Sequence, residues 1–270
     1  MGDWKISTLY FGEGVTIKDM LTSNLDVGME LVIPYLGFLV QDGETNLLFD
    51  TGINDNFFID GKAWAGRPSV GGETYVVKSL GKKGLKPEDI DIVIYSHLHN
   101  DHAGNCHLFP HAQHVFQKDE WANFIDPLPS QLIRRDFDLS VIPVLKKFDC
   151  LKVDGDLPFR PGLTFFKTPG HTAGSQSMQV RTALGNYLLI GDTAPFYCNL
   201  YPKTDEIISM KGEKIKITPA PDVYGPAIPS SIIYDHYAWY DSIYKIKALI
   251  TAPQYVIPGH DPSLVGKTFG

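Results

Sequence analysis

Apolar residues in the first hundred positions fall into short runs that predict buried strands. Residues 31–40 and 46–49 form two such runs, and the Gln-Asp-Gly-Glu segment 41–44 between them is typical of a hairpin turn. Residues 90–95 form a third run, which is short and apolar enough for a central strand. The pattern therefore predicts a sheet in this part of the chain.

Helical spacing and further strand-like runs continue through the rest of the chain. Residues 73–83 are predicted to form a helix that ends at Gly84. Strand-like runs cover 164–167, 177–181, 187–190 and 255–257. Near the C-terminus, apolar residues recur at helical spacing at Trp239, Tyr240, Ile243, Ile246 and Ile250, with Lys247 in the same register. Strands interleaved with helices indicate a layered α+β or mixed α/β domain.

Composition narrows the class of protein. The 270 residues include 43% hydrophobic and 20% charged residues, which is typical of a globular chain. The net charge of −7 argues against nucleic acid and anionic membranes as partners. The longest charge-free apolar stretch, 31–40, is about half a membrane span, and no signal peptide is visible, so a cytoplasmic location is expected. Three separated cysteines predict neither a disulfide framework nor a thiolate metal site.

The segment after the predicted strand 90–95 concentrates metal-ligating side chains. His97, His99, Asp101 and His102 lie within six residues of one another. Packing these polar groups together is costly unless a cation neutralises them. Imidazole and carboxylate without thiolate favour zinc, or else manganese, iron or cobalt. Downstream, His107, His111 and His114 are separated by Pro110, and a surface or structural role is expected for them.

Three later segments repeat the combination of a metal-ligand type with glycine at a predicted strand end. They are the Pro-Gly-His-Thr-Ala-Gly segment around His171, the Gly-Asp-Thr segment around Asp192, and the Pro-Gly-His-Asp segment around His260. Glycine permits the sharp turns and close approaches that such loops need. The ordered set of four motifs resembles the metallo-β-lactamase superfamily, and the resemblance extends from Asp50 to His260.

This resemblance implies a fold, a cofactor and a set of ligands. The fold is an α+β, αββα sandwich of two mixed sheets flanked by helices, with residues 1–270 as a single domain. The cofactor is a pair of divalent metal ions, zinc above all. Asp50 is implied to orient a ligand histidine, and Asp101 also to relay a proton to the leaving oxygen. The implied ligands are His97, His99 and His171 for the first ion, Asp101, His102 and His260 for the second, and Asp192 bridging both.

Within the superfamily, the chain resembles the N-acyl-homoserine-lactone lactonase branch. The LLFDTG, SHLHNDHAGN and TPGHTAGSQS segments carry this resemblance. It implies that a metal-bridging hydroxide attacks the ester carbonyl of a small-molecule lactone, and that the chain pairs as a homodimer. Two alternatives remain open: hydrolysis of another bond (thioester, amide or phosphodiester) at the same centre, and a non-catalytic metal-binding interaction protein.

The substrate site departs from that branch. The polar Asn100 replaces its usual aromatic residue, and Pro195 replaces a tyrosine that contacts the carbonyl, so Tyr197 becomes the catalytic candidate. Segment 195–235 is rich in proline and aromatic residues and is longer than the resemblance predicts. It is interpreted either as a surface excursion or as a substrate-cap insertion. The predicted substrate-binding residues are Asn100, Phe196, Tyr201 and His236.

Overall fold

The computed structural model describes residues 3–270, in which β-strands form two large sheets. They are numbered in chain order: β1 Lys5–Ile17, β2 Glu30–Gln41, β3 Asn46–Phe49, β4 Ser69–Val70, β5 Ile92–Ile94, β6 Gln113–Gln117, β7 Cys150–Val153, β8 Leu157–Arg160, β9 Leu163–Lys167, β10 Gln176–Thr182, β11 Gly185–Gly191, β12 Glu206–Ile208, β13 Lys214–Lys216, β14 Val256–Pro258 and β15 Thr268–Phe269.

The α-helices are mostly short. No helix among residues 3–270 is both long and apolar enough to cross a membrane. Numbered in chain order, they are α1 Lys18–Leu21, α2 Glu73–Gly81, α3 Asn100–Ala103, α4 Lys118–Ile125, α5 Pro129–Arg134, α6 Ile142–Leu145, α7 Tyr197–Leu200 and α8 His236–Leu249.

Two mixed sheets carry the fold. The first has the strand order β15-β1-β2-β3-β5-β6-β7, with β4 paired to β1. Its strands β3, β5, β6 and β7 are parallel, whereas β1 and β2 are antiparallel. The second has the order β14-β11-β10-β9-β8, in which only the β11–β14 pair is parallel. A separate β12–β13 hairpin lies within segment 195–235.

The main core lies between these two sheets. Leu47 and Phe49 of β3 point into it and meet Phe165 of β9 and Met178 of β10 from the second sheet. Leu48, between them in the chain, points to the opposite face of the first sheet. Side chains of a strand alternate between the two faces of its sheet, so an uninterrupted apolar run marks a strand buried on both faces.

Helices cover the outer face of each sheet. Leu80 of α2 packs with Leu48 on the outside of the first sheet. Trp239 and Ile246 of α8 pack with Leu188 of β11 on the outside of the second sheet. The layer order is helix, sheet, sheet, helix, which confirms the predicted αββα sandwich.

Candidate metal centre

Four loops bring the predicted ligands together. One follows β5, one connects β9 to β10, one follows β11 and one follows β14. Within each of three groups the ligand-type atoms all lie within 4.8 Å of one another. The groups are His97 with His99 and His171, His97 with His102 and Asp192, and Asp101 with His102 and His260.

Asp192 lies between the two ends of this cluster. Its Oδ1 atom is 3.2 Å from Nε2 of His260 and 3.6 Å from Nε2 of His102. Its Oδ2 atom points the other way, 3.8 Å from Nε2 of His171. Asp101 closes the second end, with Oδ2 at 3.5 Å from Nε2 of His260. One carboxylate oxygen therefore faces each end, which is the arrangement that a bridging ligand needs.

A buried network behind the cluster fixes the orientation of two imidazoles. The backbone N–H and the hydroxyl of Ser96 both donate to Asp50, at 2.7 and 2.8 Å. Nδ1 of His102 donates to Asp50 Oδ2 at 2.9 Å. Because the Ser96 hydroxyl proton goes to Asp50, Nδ1 of His97 donates to Ser96 Oγ, at 2.9 Å. Both imidazoles thus point their Nε2 atoms towards the cluster, and hydrogen-bond partners of metal ligands are expected to fix the ring orientation in this way.

Backbone carbonyls fix two more imidazoles. Nδ1 of His171 donates to Ile232 O at 2.9 Å, and Nδ1 of His260 donates to Pro34 O at 2.8 Å. His99 differs, because its Nδ1 faces the cluster at 3.1 Å from Nε2 of His171.

The cluster fits a divalent metal ion. Nε2 of His97 and Nε2 of His102 are buried and have no hydrogen-bond partner within residues 3–270. A buried polar atom without a partner is costly, and a metal ion satisfies a nitrogen lone pair directly. Converging imidazole nitrogens and carboxylate oxygens, without thiolate, are the donor set that zinc and similar metals take.

Electrostatics distinguish the two ends. Burial lowers the pKa of His97 and His99 well below the usual value, and lowers the pKa of His171 to about 4. Burial also opposes a charge on His102, yet neighbouring carboxylates raise its pKa well above the usual value. The three-histidine end therefore keeps its imidazoles neutral and free to bind a cation, whereas the carboxylate-rich end attracts positive charge.

Two glycines allow the loops to approach this closely. A Cβ atom on Gly259 would lie 2.3 Å from Oδ1 of Asp192, and one on Gly191 would lie 2.5 Å from Cβ of Ser96. Gly191 also has a φ of +50°, in the left-handed region that favours glycine. Glycine beside the ligand in these motifs is thus required by packing.

The family model described as the metallo-beta-lactamase superfamily matches residues 34–260. The chain belongs to the metallo-β-lactamase superfamily. This confirms the resemblance inferred from the four motifs, and the match includes all seven predicted ligands.

Relatives of this superfamily member include named lactonases. It is 29% identical over 198 residues to an N-acyl homoserine lactonase of Bacillus cereus, which covers 68% of this chain and 74% of the relative. It is 30% identical over 201 residues to the N-acyl homoserine lactonase AttM of Rhizobium radiobacter, covering 67% and 74%.

Solved structures share the fold at low sequence identity. An N-acyl homoserine lactone hydrolase, with N-hexanoyl-L-homoserine at its catalytic metal centre, has a TM-score of 0.74 and 22% identity, covering 97% of this chain and 95% of that one. The dizinc lactonase AidC has a TM-score of 0.67 and 18% identity, covering 96% and 88%.

In this superfamily member, the cluster of ligand-type side chains opens into a cavity of about 480 Å³. Apart from the ligand-type residues, its wall is formed by side chains that stand in none of the four motifs. They come from β1, α1, β2, α5 and three loops, which no local motif marks. The apolar ones include Val15, Met20, Leu21, Ile33, Tyr35, Trp64, Ile133 and Ile232, and the charged ones outside the cluster are Arg67, Arg134 and Asp136.

The structure does not bring Tyr197 or Phe196 to this cavity. The Tyr197 hydroxyl donates to Val256 O at 3.0 Å, because α7 begins at this residue and turns its ring towards the second sheet. Phe196 is fully buried in a cluster with Leu31 and Ile207. The predicted catalytic role of Tyr197 and substrate contact of Phe196 are therefore not supported.

The other three predicted substrate residues also lie away from the cavity wall. Tyr201 packs beside α8, and His236 is exposed at the first turn of that helix. Asn100 is buried, and its side-chain amide donates to Arg135 O at 2.6 Å. Asn100 thus supports the chain next to Arg134 in the wall, rather than facing a substrate.

The three downstream histidines join no metal-ligand group among the described residues. His107 is half-exposed, with Nε2 at 3.4 Å from Glu73. His111 is exposed, whereas His114 is fully buried beside Tyr95. These placements agree with the surface and structural roles expected from the sequence.

Proposed function

We propose that the chain is a metal-dependent hydrolase that opens the ring of a small-molecule lactone. The observation that carries this proposal is the cavity, whose lining combines Asp101, Asp192 and His260 with apolar side chains such as Met20 and Trp64. An ester held at the metal centre would leave its apolar substituent against Met20 and Trp64. The lactonase relatives support a lactone as the ester.

The proposed cofactor is a pair of divalent metal ions, most simply zinc. The residues proposed to hold them are His97, His99 and His171 for one ion, Asp101, His102 and His260 for the other, and Asp192 for both. When bound, such a pair lowers the pKa of water and polarises a carbonyl group.

The protein groups have separate roles in this proposal. Asp50 and Ser96 keep the imidazoles of His97 and His102 in the ligating orientation. Asp101 lines the cavity, so its carboxylate is the group we propose to pass a proton to the leaving alcohol oxygen. The apolar wall holds the substituent and excludes water from the ester.

Tyr35 is the tyrosine that lines the cavity in this chain, where Pro195 replaces the tyrosine usual in lactonases. Tyr35 lines the cavity and packs edge-on against His260, with ring centroids 6.3 Å apart. Its hydroxyl is engaged with Ser69 Oγ at 2.8 Å. The hydroxyl of Tyr35 is therefore not free to contact a substrate. Its ring forms part of the cavity wall beside the group of Asp101, His102 and His260.

The test is a substrate panel with the metal-loaded protein. It includes lactones with short and long acyl substituents, thioesters, β-lactams and phosphodiesters. Ring opening of lactones is expected to be fastest, and His97→Ala is expected to lower kcat/KM about a thousandfold because several kcal/mol of transition-state stabilisation are lost. His107→Ala is the control. Turnover of phosphodiesters alone would contradict the proposal.

Four further proposals rest on the sequence and on the resemblance. The chain is proposed to be one domain over residues 1–270, to act in the cytoplasm and to form a homodimer. Segment 195–235 is proposed as a substrate-cap insertion, but its contribution to the wall is narrow: among the described residues of that segment, Ile232 lines the cavity. The segment also supports α1, because Asn199 donates to Leu21 O at 2.7 Å.

A further inference from the structure

Glu120 is a buried carboxylate that belongs to none of the four ligand motifs. It lies in the first turn of α4 and is fully buried. Its Oε1 atom accepts the backbone N–H of Leu98 at 2.8 Å. Its Oε2 atom accepts the Thr172 hydroxyl at 2.6 Å and the backbone N–H of Gly174 at 3.0 Å. One side chain thus receives three hydrogen bonds from two distant segments.

The hydrogen-bond partners of Glu120 flank the three-histidine end of the ligand cluster. Leu98 stands between His97 and His99, and Thr172 directly follows His171. These three histidines form one group of ligand-type atoms within 4.8 Å of one another. The carboxylate therefore connects the two loops that must stay in register for the three imidazoles to converge.

The loop after His171 also packs directly on α4. A Cβ atom on Gly174 would lie 2.1 Å from the backbone nitrogen of Glu120. No side chain larger than hydrogen fits between the loop and the helix, so this contact fixes the loop independently of the hydrogen bonds.

The chemistry of the contact requires a carboxylate. Both oxygens accept hydrogen bonds, and the charge lies in the first turn of α4, where the helix dipole favours an anion. Burial raises the pKa of Glu120, and its hydrogen bonds oppose that shift. A glutamine has one acceptor oxygen, so its NH₂ group would face a donor on one of the two loops.

The other end of the cluster is held by different groups. His102 donates to Asp50, and His260 donates to Pro34 O. Neither contact involves Glu120, so disturbing Glu120 acts on the three-histidine group selectively.

We propose that Glu120 is a positioning residue that sets the affinity of the three-histidine group for its metal ion. This rests on the metal centre of the proposed function and is independent of the substrate.

The experiment is a Co²⁺ titration of the metal-free protein, followed by visible absorption and by metal content after gel filtration. Wild type is expected to bind two ions. Glu120→Gln is expected to bind one ion with wild-type affinity and the other 10- to 100-fold more weakly. A loss of this size is usual when a group that supports a metal ligand is removed. Asp119→Asn, an exposed neighbour in α4 paired with Lys167, is the control.

A second variant keeps the test decisive if Glu120→Gln does not fold. Thr172→Val removes one donor and leaves the carboxylate in place, so one Co²⁺ affinity is expected to fall about tenfold or less. Two unchanged affinities in a folded Glu120→Gln protein, or equal weakening of both ions, would overturn the proposal. Absence of Co²⁺ binding by wild type would overturn the metal centre itself, whereas Co²⁺ binding without lactone turnover would overturn only the substrate.

Discussion

The carboxylate of Asp50 contacts Nδ1 of His102 at 2.9 Å, across 52 residues of chain. The same carboxylate accepts two hydrogen bonds from Ser96, whose hydroxyl in turn orients His97. Asp50 has a φ of +65°, in a region that aspartate adopts at a cost. One strained, buried residue at the end of β3 thus sets the orientation of an imidazole in each metal group.

Replacing Asp50 with asparagine is expected to weaken metal binding 10- to 100-fold. The asparagine NH₂ group would face either the Nδ1–H of His102 or a donor of Ser96, so at least one imidazole loses its support. Isothermal titration of the metal-free protein with Zn²⁺ measures the change. Asp60→Asn is the matched control, because Asp60 is exposed and has a similar φ of +50°. Equal affinities in Asp50→Asn and wild type would refute the orienting role.

Gly259→Ala is expected to reduce the metal content and to destabilise the fold by about 1–3 kcal/mol. The new Cβ would lie 2.3 Å from Oδ1 of Asp192, so the carboxylate must leave its place between the two groups. Metal analysis after dialysis and thermal unfolding measure the two effects. Gly81→Ala is the control, since its Cβ would meet no atom within 4 Å. Full metal occupancy in Gly259→Ala would show that Asp192 tolerates displacement.

The ligand cluster was predictable because its information is local. The ligands stand in short motifs that contain glycine at a strand end, and strands buried on both faces leave continuous apolar runs such as 47–49. The strand β1 was not predicted, because its local pattern is interrupted. Its register with β2 shifts between Tyr10 and Glu13, and Gly12 has a φ of +123°, so the alternating pattern is interrupted.

The substrate wall was not predictable from local pattern. Met20, Trp64 and Ile133 are far apart in the chain and meet only through the fold. Proximity in sequence to Asp192 did not determine the direction of the Tyr197 side chain, because Tyr197 begins a helix that turns it towards Val256. Glu120 was missed because a lone glutamate in a helix carries no motif.

Trp64→Ala is expected to raise KM for lactones with long acyl substituents about 5- to 30-fold and to leave short-chain lactones nearly unchanged. The indole forms part of the apolar wall and packs against Phe57, with ring centroids 4.7 Å apart, so its loss removes about 1–2 kcal/mol of apolar contact. Steady-state kinetics over a series of chain lengths measure the effect. Tyr237→Ala, an 87% exposed aromatic on α8, is the control. A uniform rise in KM at every length would contradict a substituent site.

His114 is a second buried histidine system, separate from the metal ligands. Its Nδ1 accepts the Tyr95 hydroxyl at 2.8 Å, and its Nε2–H donates to Phe109 O at 3.0 Å. Both contacts suit the neutral ring, and burial lowers the pKa of His114 to about 4. Below the unfolded pKa of about 6.5 the unfolded chain binds a proton that the folded protein does not. The contribution of His114 to the free energy of unfolding is therefore complete above pH 6.5 and is lost as the pH drops towards 4.

Because of the lowered pKa of His114, the free energy of unfolding is expected to fall by about 3 kcal/mol between pH 7 and pH 4. Urea unfolding of the metal-free protein with a chelator measures the loss. His114→Gln should lack the part of the loss that comes from His114, whereas the metal ligands titrate equally in both proteins. His111→Gln replaces an exposed histidine and should follow wild type. If the stability difference between wild type and His114→Gln stays constant with pH, the ring is not held neutral by burial, and the acid sensitivity belongs to the ligand imidazoles alone.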